Sequence, residues 1–205
     1  EFGAGASTFN EVFGRTHNPW NLSRSVAGSS GGAGAALASG QAWVAQGSDM
    51  GGSLRNPASF CGVVGLRPSS GRVPKGPGAD AFGTLSVNGP MARNVADTGL
   101  LLDAMAGPHG HDPRAQPDNT GFRAAAEAPR VPRRVGFSRD FGITPVDPEV
   151  AAICEAAARR LEAMGAVVEE ASPDFSGAHE AFQTLRALSF VTGHLTHYEE
   201  KKHLL

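Results

Sequence analysis

Apolar positions fall into short blocks separated by stretches rich in glycine, proline and serine. Residues 1–28 are rich in Gly, Ser, Thr and Asn and read mostly as loop, with Asn18-Pro19 as a turn signal. The run of small residues from Ser30 to Ala38 suits a helix packed closely against another backbone. Small side chains permit that approach, although each interior glycine costs roughly 1 kcal/mol of helix propensity. Ala42-Trp43-Val44-Ala45 reads as a short buried strand and Cys61–Leu66 as a second, with a polar loop from Gly47 to Pro57 between them. Residues 69–90 read as irregular.

Val95 to Ala106 predicts an amphipathic helix. Val95, Leu100, Leu101, Leu102 and Met105 lie on roughly one side, and Gly107-Pro108 stops it. A loop rich in Pro, Asp and Arg follows over 108–133. Arg134–Phe137 reads as a strand. Asp147-Pro148 starts a helix with an N-cap and proline at its first position, and the helix reaches Met164 before Gly165. Ala166–Glu169 is the next strand, and this strand–helix–strand order predicts a parallel α/β arrangement. Residues 177–205 read as helical with an interruption near Gly193, and Phe182, Leu185, Leu188 and Phe190 are expected in the core.

A length of 205 residues suits one domain or at most two, with enough chain to bury a core unaided. With 40% hydrophobic and 19% charged residues, the chain is expected to fold rather than stay disordered. Its 27 glycines follow no Gly-X-Y period, which excludes collagen. The net charge is −2 and no basic stretch stands out, so nucleic acid is not an expected partner. No apolar run approaches the ~20 residues of a membrane span, and no signal peptide opens the chain. Cys61 and Cys154 make no disulfide framework, so a reducing, cytoplasmic setting is expected. His194 and His197 have helical i, i+3 spacing but no third ligand, and His109 and His111 lie in a loop. No metal site is expected. The chain starts without Met and ends at Lys201-Lys202-His203-Leu204-Leu205 without a capping signal, so it is expected to be a piece of a longer protein.

Chemistry concentrates between Gly28 and Arg55. This segment holds Gly28-Ser29-Ser30-Gly31-Gly32 and Gly51-Gly52-Ser53. A serine hydroxyl attacks only when a base takes its proton and donors hold the developing oxyanion. Adjacent glycines let successive N–H groups converge without Cβ interference. Ser53 is therefore a candidate nucleophile, with the amides of Met50, Gly51, Gly52 and Ser53 as donors. Ordinary turns would also account for both glycine clusters. Phosphate binding is disfavoured, because the glycine spacing of nucleotide-binding loops is absent. Gly28-Ser29-Ser30-Gly31-Gly32 also fits the Gly-x-Ser-x-Gly elbow of α/β-hydrolases, which would make Ser30 the nucleophile of an esterase. That elbow needs a buried strand before it, and Asn21–Val26 is too polar for one.

Three stretches resemble the amidase signature family: Ala27–Gly32, Gly47–Ala58 and Phe60–Pro68. Phe13–Trp20 and Gly89–Arg93 are similar to the same family. The resemblance implies an α/β fold with a central mixed β-sheet flanked by helices on both faces, here partial, and a single partial amidase domain over 1–205. It implies an amidohydrolase with a Ser–Ser–Lys mechanism. Ser53 attacks an amide carbonyl, Ser29 relays the proton after a cis Gly28–Ser29 peptide, and a buried neutral lysine is the base. Asp49 and Arg55 brace the loop, Ser30 is a supporting hydroxyl, and Ala27 stands where the family often has glycine. No cofactor is implied. The expected partner is a small-molecule amide substrate, with self-association into a homo-oligomer allowed. The base is the departure. The only lysines, Lys75, Lys201 and Lys202, all follow the serines, and Lys75 reads as a solvated surface charge in Pro74-Lys75-Gly76-Pro77. The base is therefore expected outside this chain, leaving the isolated 205 residues nearly inactive. A non-catalytic amidase-like binding subunit is the non-enzymatic alternative.

Overall fold

The structure, a computed structural model, describes residues 5–76, 81–117 and 120–204. The chain divides into two units, Glu1–Ala128 with Val191–Leu205, and Pro129–Phe190. In the first, four short strands precede any helix: β1 (Phe9–Asn10), β2 (Gly14–Arg15), β3 (His17–Asn18) and β4 (Asn21–Ser25). They form two antiparallel pairs, β1 with β2 and β3 with β4. The stretch expected to be loop thus contains two small hairpins between Phe9 and Ser25. They escape a hydrophobic pattern because they are too short to alternate, and β4 is exposed throughout.

Helix α1 (Gly31–Ala38), strand β5 (Val44–Asp49), helix α2 (Arg55–Cys61) and strands β6 (Val64–Gly65) and β7 (Val87–Ala92) follow. The three strands form an antiparallel sheet in the order β5-β7-β6. Three expectations change here. The buried strand expected at Ala42–Ala45 begins only at Val44 and runs on to Asp49 through Gly47 and Ser48, and Trp43 and Val44 are exposed. Cys61 ends a helix rather than opening a strand, and Pro57 is tolerated because it lies in that helix's first turn. The region expected to be irregular contains β7, the central strand. Gly89 and Pro90 hide it, since proline is ordinarily confined to edges and bulges.

Close packing explains several of the glycines. A Cβ on Gly34 of α1 would lie 3.2 Å from both the Cys61 Sγ and the Pro57 carbonyl, so α1 meets α2 at the expected close approach. Leu54 is fully buried and sits on glycines from all three strands of the sheet. A Cβ at Gly47 would stand 2.7 Å from Leu54 Cδ2, one at Gly65 2.5 Å from the Leu54 carbonyl, and one at Gly89 2.7 Å from Leu54 Cδ1. Gly47 and Gly89 face each other across β5 and β7. Leu37, Ala58 and Met91 complete this core.

Helix α3 (Val95–Met105) is capped by Asn94, whose side chain accepts from the Asp97 N–H at 2.8 Å. Its buried positions are Thr98, Gly99 and Leu102, whereas Val95 and Leu100 are exposed, so the expected apolar face is rotated. Gly99 allows contact with α4 (Phe122–Glu127), a helix within the stretch expected to be loop. The α4 cap comes from α3, not from its own flank. The Asp103 carboxylate accepts from the N–H groups of Gly121, Phe122 and Arg123 at 2.8–3.0 Å.

In the second unit β8 (Arg134–Phe137), α5 (Pro148–Ala163) and β9 (Val167–Glu170) form the expected parallel strand–helix–strand unit. Asp147 caps α5 by accepting from the Glu149 N–H at 2.8 Å, and Gly165 adopts a φ of +99° beyond its end. Helix α6 (Ala178–Lys201) is continuous through Gly193. None of its described residues is buried, and Leu185 and Leu188 are exposed, so the expected core role of its apolar side chains is not met.

The glycine seat of Leu54 leaves no room for a methyl group. In the full-length protein Gly89→Ala must push against Leu54 and the Leu66 carbonyl. A loss of about 2–3 kcal/mol in urea unfolding is expected. An unchanged midpoint would show that the seat yields.

Candidate active site

The two serine loops each lead into a helix. Val26 to Ser30 joins exposed β4 to α1, and Met50 to Leu54 joins β5 to α2. In the first loop the Gly28–Ser29 peptide is cis, as the resemblance implies, and Ala27 takes a φ of +57°. That left-handed conformation is the reason glycine suits position 27. Thr8 Oγ1 donates to the Ala27 carbonyl at 2.9 Å. A Cβ on Gly28 would lie 2.8 Å from the Ser7 nitrogen, so the backbone of residues 6–7 passes directly against this peptide.

The loops are tied to one another through backbone. The Ser30 N–H donates to the Ser53 carbonyl at 3.3 Å. Ser30 Oγ accepts from the Ser48 N–H at 3.4 Å and reaches the Ser48 carbonyl at 3.5 Å. It also fills the space beside Gly47 that a Cβ would need. Ser30 thus links the start of α1 to β5. Ser29 and Ser53 are both half-buried.

Asp49 organises the second loop. Its side chain is wholly buried, and the N–H groups of Gly52 and Leu54 donate to its two oxygens at 2.9 and 3.2 Å. The Arg55 N–H adds a bond at 3.4 Å, and the Arg55 guanidinium grips the carboxylate with Nε and Nη2, each at 2.9 Å. Burial by itself raises a carboxyl pKa. Here the Arg55 guanidinium and the Gly52 and Leu54 amides overcome that effect and hold Asp49 at about 2. Gly52 is the pivot of the turn, with a φ of +115° that only glycine adopts freely. Of the four amides expected to face an oxyanion, that of Gly52 is engaged by Asp49. Those of Met50, Gly51 and Ser53 make no such bond.

Arg67 is not among the site residues that the sequence predicts, although it lies in the Phe60–Pro68 stretch. Its Nη1 donates to the Asp49 backbone carbonyl and lies 3.3 Å from Asp49 Oδ1, while Nη2 donates to the Leu85 carbonyl at 3.0 Å. Lys75 differs from its expected solvated setting. It is half-buried, and its backbone N–H donates to the buried Asp112 carboxylate at 2.8 Å. His194 and His197 stack edge-on at 6.2 Å between ring centroids, and His109 and His111 lie 5.7 Å apart. Among the described residues no group of three His, Cys, Asp or Glu side chains gathers to hold a metal. Among the same residues no helix is long and apolar enough to cross a membrane.

Asp49 makes stability pH-dependent with a definite sign. Its folded-state pKa of about 2 lies below the ordinary 3.8. Its contribution, about 2 kcal/mol, is therefore fully present above pH ~4 and is lost as pH falls through about 2. Asp49→Asn should lower stability at neutral pH and flatten this acid limb in urea titrations of the full-length protein. A variant with the wild-type slope between pH 4 and 2 would contradict the assignment.

A family model described as Amidase matches residues 1–202. An acylamidase of Rhodococcus erythropolis is 42% identical over 182 residues, which cover 88% of this chain and 38% of that protein. A glutamyl-tRNA(Gln) amidotransferase subunit of Moorella thermoacetica is 46% identical over 180 residues, 84% of this chain and 36% of that one. Among solved structures, a bacterial aryl acylamidase of the amidase signature enzymes superposes with a TM-score of 0.88 at 32% identity, covering 98% of this chain and 42% of that one. The chain thus spans about two fifths of the length of the relatives it matches. Its α/β architecture is part of the fold they share, and the chain belongs to the amidase signature family.

Proposed function

We propose that the protein containing this chain hydrolyses carbon–nitrogen amide bonds through an acyl-enzyme on Ser53. The observation that carries this reading is the loop around Asp49. A buried carboxylate draws the Gly52, Leu54 and Arg55 amides inward, and Ser53 sits in the middle of that turn. The amides of Met50, Gly51 and Ser53 remain for the carbonyl oxygen as it gains charge, with Gly52 supplying the turn that presents them. Ser53 Oγ bonds to the carbonyl carbon, and its proton passes to Ser29 Oγ and onward to the base. The C–N bond then breaks and the amine leaves with a proton. Water attacks the ester, releases the carboxylic acid and restores the Ser53 hydroxyl.

The reading takes the base to be a lysine outside residues 1–205. Of the lysines here, Lys75 is joined to Asp112 through its backbone, in a separate loop. Ser30 is a poorer nucleophile candidate than Ser53. Its hydroxyl is engaged by the Ser48 backbone, and the strand before it is exposed rather than buried. Residues 1–205 are taken as part of one amidase domain, acting on a small-molecule amide and free to associate with a second copy. The unpaired Cys61 and Cys154 suit a reducing compartment such as the cytoplasm.

The reading is tested in the full-length protein and in residues 1–205 alone. The full-length protein should turn over members of an anilide panel and be labelled by a fluorophosphonate at Ser53. Ser53→Ala should abolish labelling while leaving the fold intact. The 205-residue chain should show little or no turnover for want of a proton acceptor. Persistent labelling of Ser53→Ala would overturn the nucleophile, and equal turnover by both proteins would place the base within residues 1–205.

A further inference from the structure

Asp49 is held at its side-chain carboxylate and again at its backbone carbonyl, and the acyl-enzyme reading alone does not explain the second grip. The Asp49 carboxylate already has Arg55 and three backbone amides as donors. Arg67 adds little to its neutralisation, approaching Oδ1 at only 3.3 Å. Its closer bond is to the Asp49 backbone carbonyl, and its other nitrogen is anchored on the Leu85 carbonyl at 3.0 Å. The Arg67 side chain is 27% exposed, so the guanidinium works partly shielded from solvent.

A carbonyl and the N–H that follows it belong to one rigid plane and, in a trans unit, point in opposite directions. Fixing the Asp49 carbonyl therefore fixes the direction of the Met50 N–H. A cation on the carbonyl oxygen also draws electrons from the peptide and makes its N–H a stronger donor. We propose that Arg67 is a positioning residue for the oxyanion site, orienting and polarising the Met50 amide through the Asp49 carbonyl. The proposal rests on the acyl-enzyme reading and adds to it a residue that touches neither substrate nor nucleophile. Leu85 is the far anchor. The segment before β7 thereby ties down the other nitrogen of the guanidinium.

The test is the rate of Ser53 labelling by a fluorophosphonate in the full-length protein, separated into the maximal rate kinact and the half-saturation constant KI. The phosphoryl oxygen of the probe occupies the oxyanion site, so kinact reads the quality of the donors. Arg67→Gln should lower kinact by roughly 10- to 100-fold, the scale of a misdirected catalytic group, with KI within about twofold of wild type. Arg67→Lys keeps a cation for the Asp49 carbonyl but cannot also span to Leu85, and should recover part of the loss. Where Arg67→Gln fails to fold, Arg67→Lys decides: a several-fold lower kinact at unchanged KI supports the proposal. Wild-type kinact in either folded variant would overturn it, as would a loss carried by KI. Failure of the wild-type protein to be labelled at Ser53 would instead sink the acyl-enzyme reading. Normal wild-type labelling with unaffected variants would sink the role of Arg67 alone.

Discussion

A single buried carboxylate sets the shape of the serine-bearing loop. Asp49 ends β5 with no exposed side-chain surface, and an ion there is tolerated only when fully partnered. The chain meets that demand by folding its own next six residues back over the carboxylate. Gly52 and Leu54 point their amides inward, and Arg55 closes the ring with a two-pronged grip. The turn is thus the shape that satisfies the ion. Ser53 is carried on it as a consequence, between two residues whose amides are committed to Asp49.

The same loop is located from below by packing. Leu54 follows the candidate nucleophile and is fully buried on glycines contributed one each by β5, β6 and β7. Three absent side chains bring a sheet and a loop closer than any other residue would allow. Carboxylate and leucine therefore fix different degrees of freedom. Asp49 sets which way the turn faces, and Leu54 sets how deep it sits. Ser30 adds the lateral restraint, by donating its N–H to the Ser53 carbonyl and placing its hydroxyl against Ser48.

Much of the candidate site's geometry is legible in the sequence because it is local. Ser53, Gly52, Asp49 and Arg55 lie within seven consecutive positions, and a glycine pair before a serine has a direct physical meaning. The regular unit β8–α5–β9 is legible for the same reason: its cap, proline and terminal glycine are written at its own ends. What escapes is determined at a distance. Helix α4 is capped by Asp103 of another helix, so its start carries no local signal, although its alanines favour a helix. Strand β7 contains Gly89 and Pro90, residues that weaken a strand in isolation. Gly89 is required there by Leu54, more than thirty positions earlier. The apolar residues of helix α6 suggest a core element, yet periodicity reports only that a face exists and not what covers it.

Contacts made at a distance also reach the serine loops from stretches well outside them. Helices α1 and α2 each begin at a candidate catalytic loop, and each has its far end tied by side chains from elsewhere. At the end of α2 the Phe60 and Cys61 carbonyls accept from the Asn18 amide and the Trp20 indole, both at 2.7 Å. At the end of α1 the Leu37 carbonyl accepts from Arg93 at 3.2 Å, and the same guanidinium holds the Ala42 carbonyl at 2.7 Å. The last carbonyls of a helix lack intrahelical partners; Asn18 and Trp20 supply them at the end of α2, and Arg93 adds a second donor to a Leu37 carbonyl that already accepts from the Gly40 N–H. A helix so held at its end cannot slide or rotate freely at its start, where the serine lies. Asn18, Trp20 and Arg93 therefore have a mechanical role in this chain. Asn18, Trp20 and Arg93 act on the serine loops through the two helices, whereas Gly89 meets the second loop directly beneath Leu54.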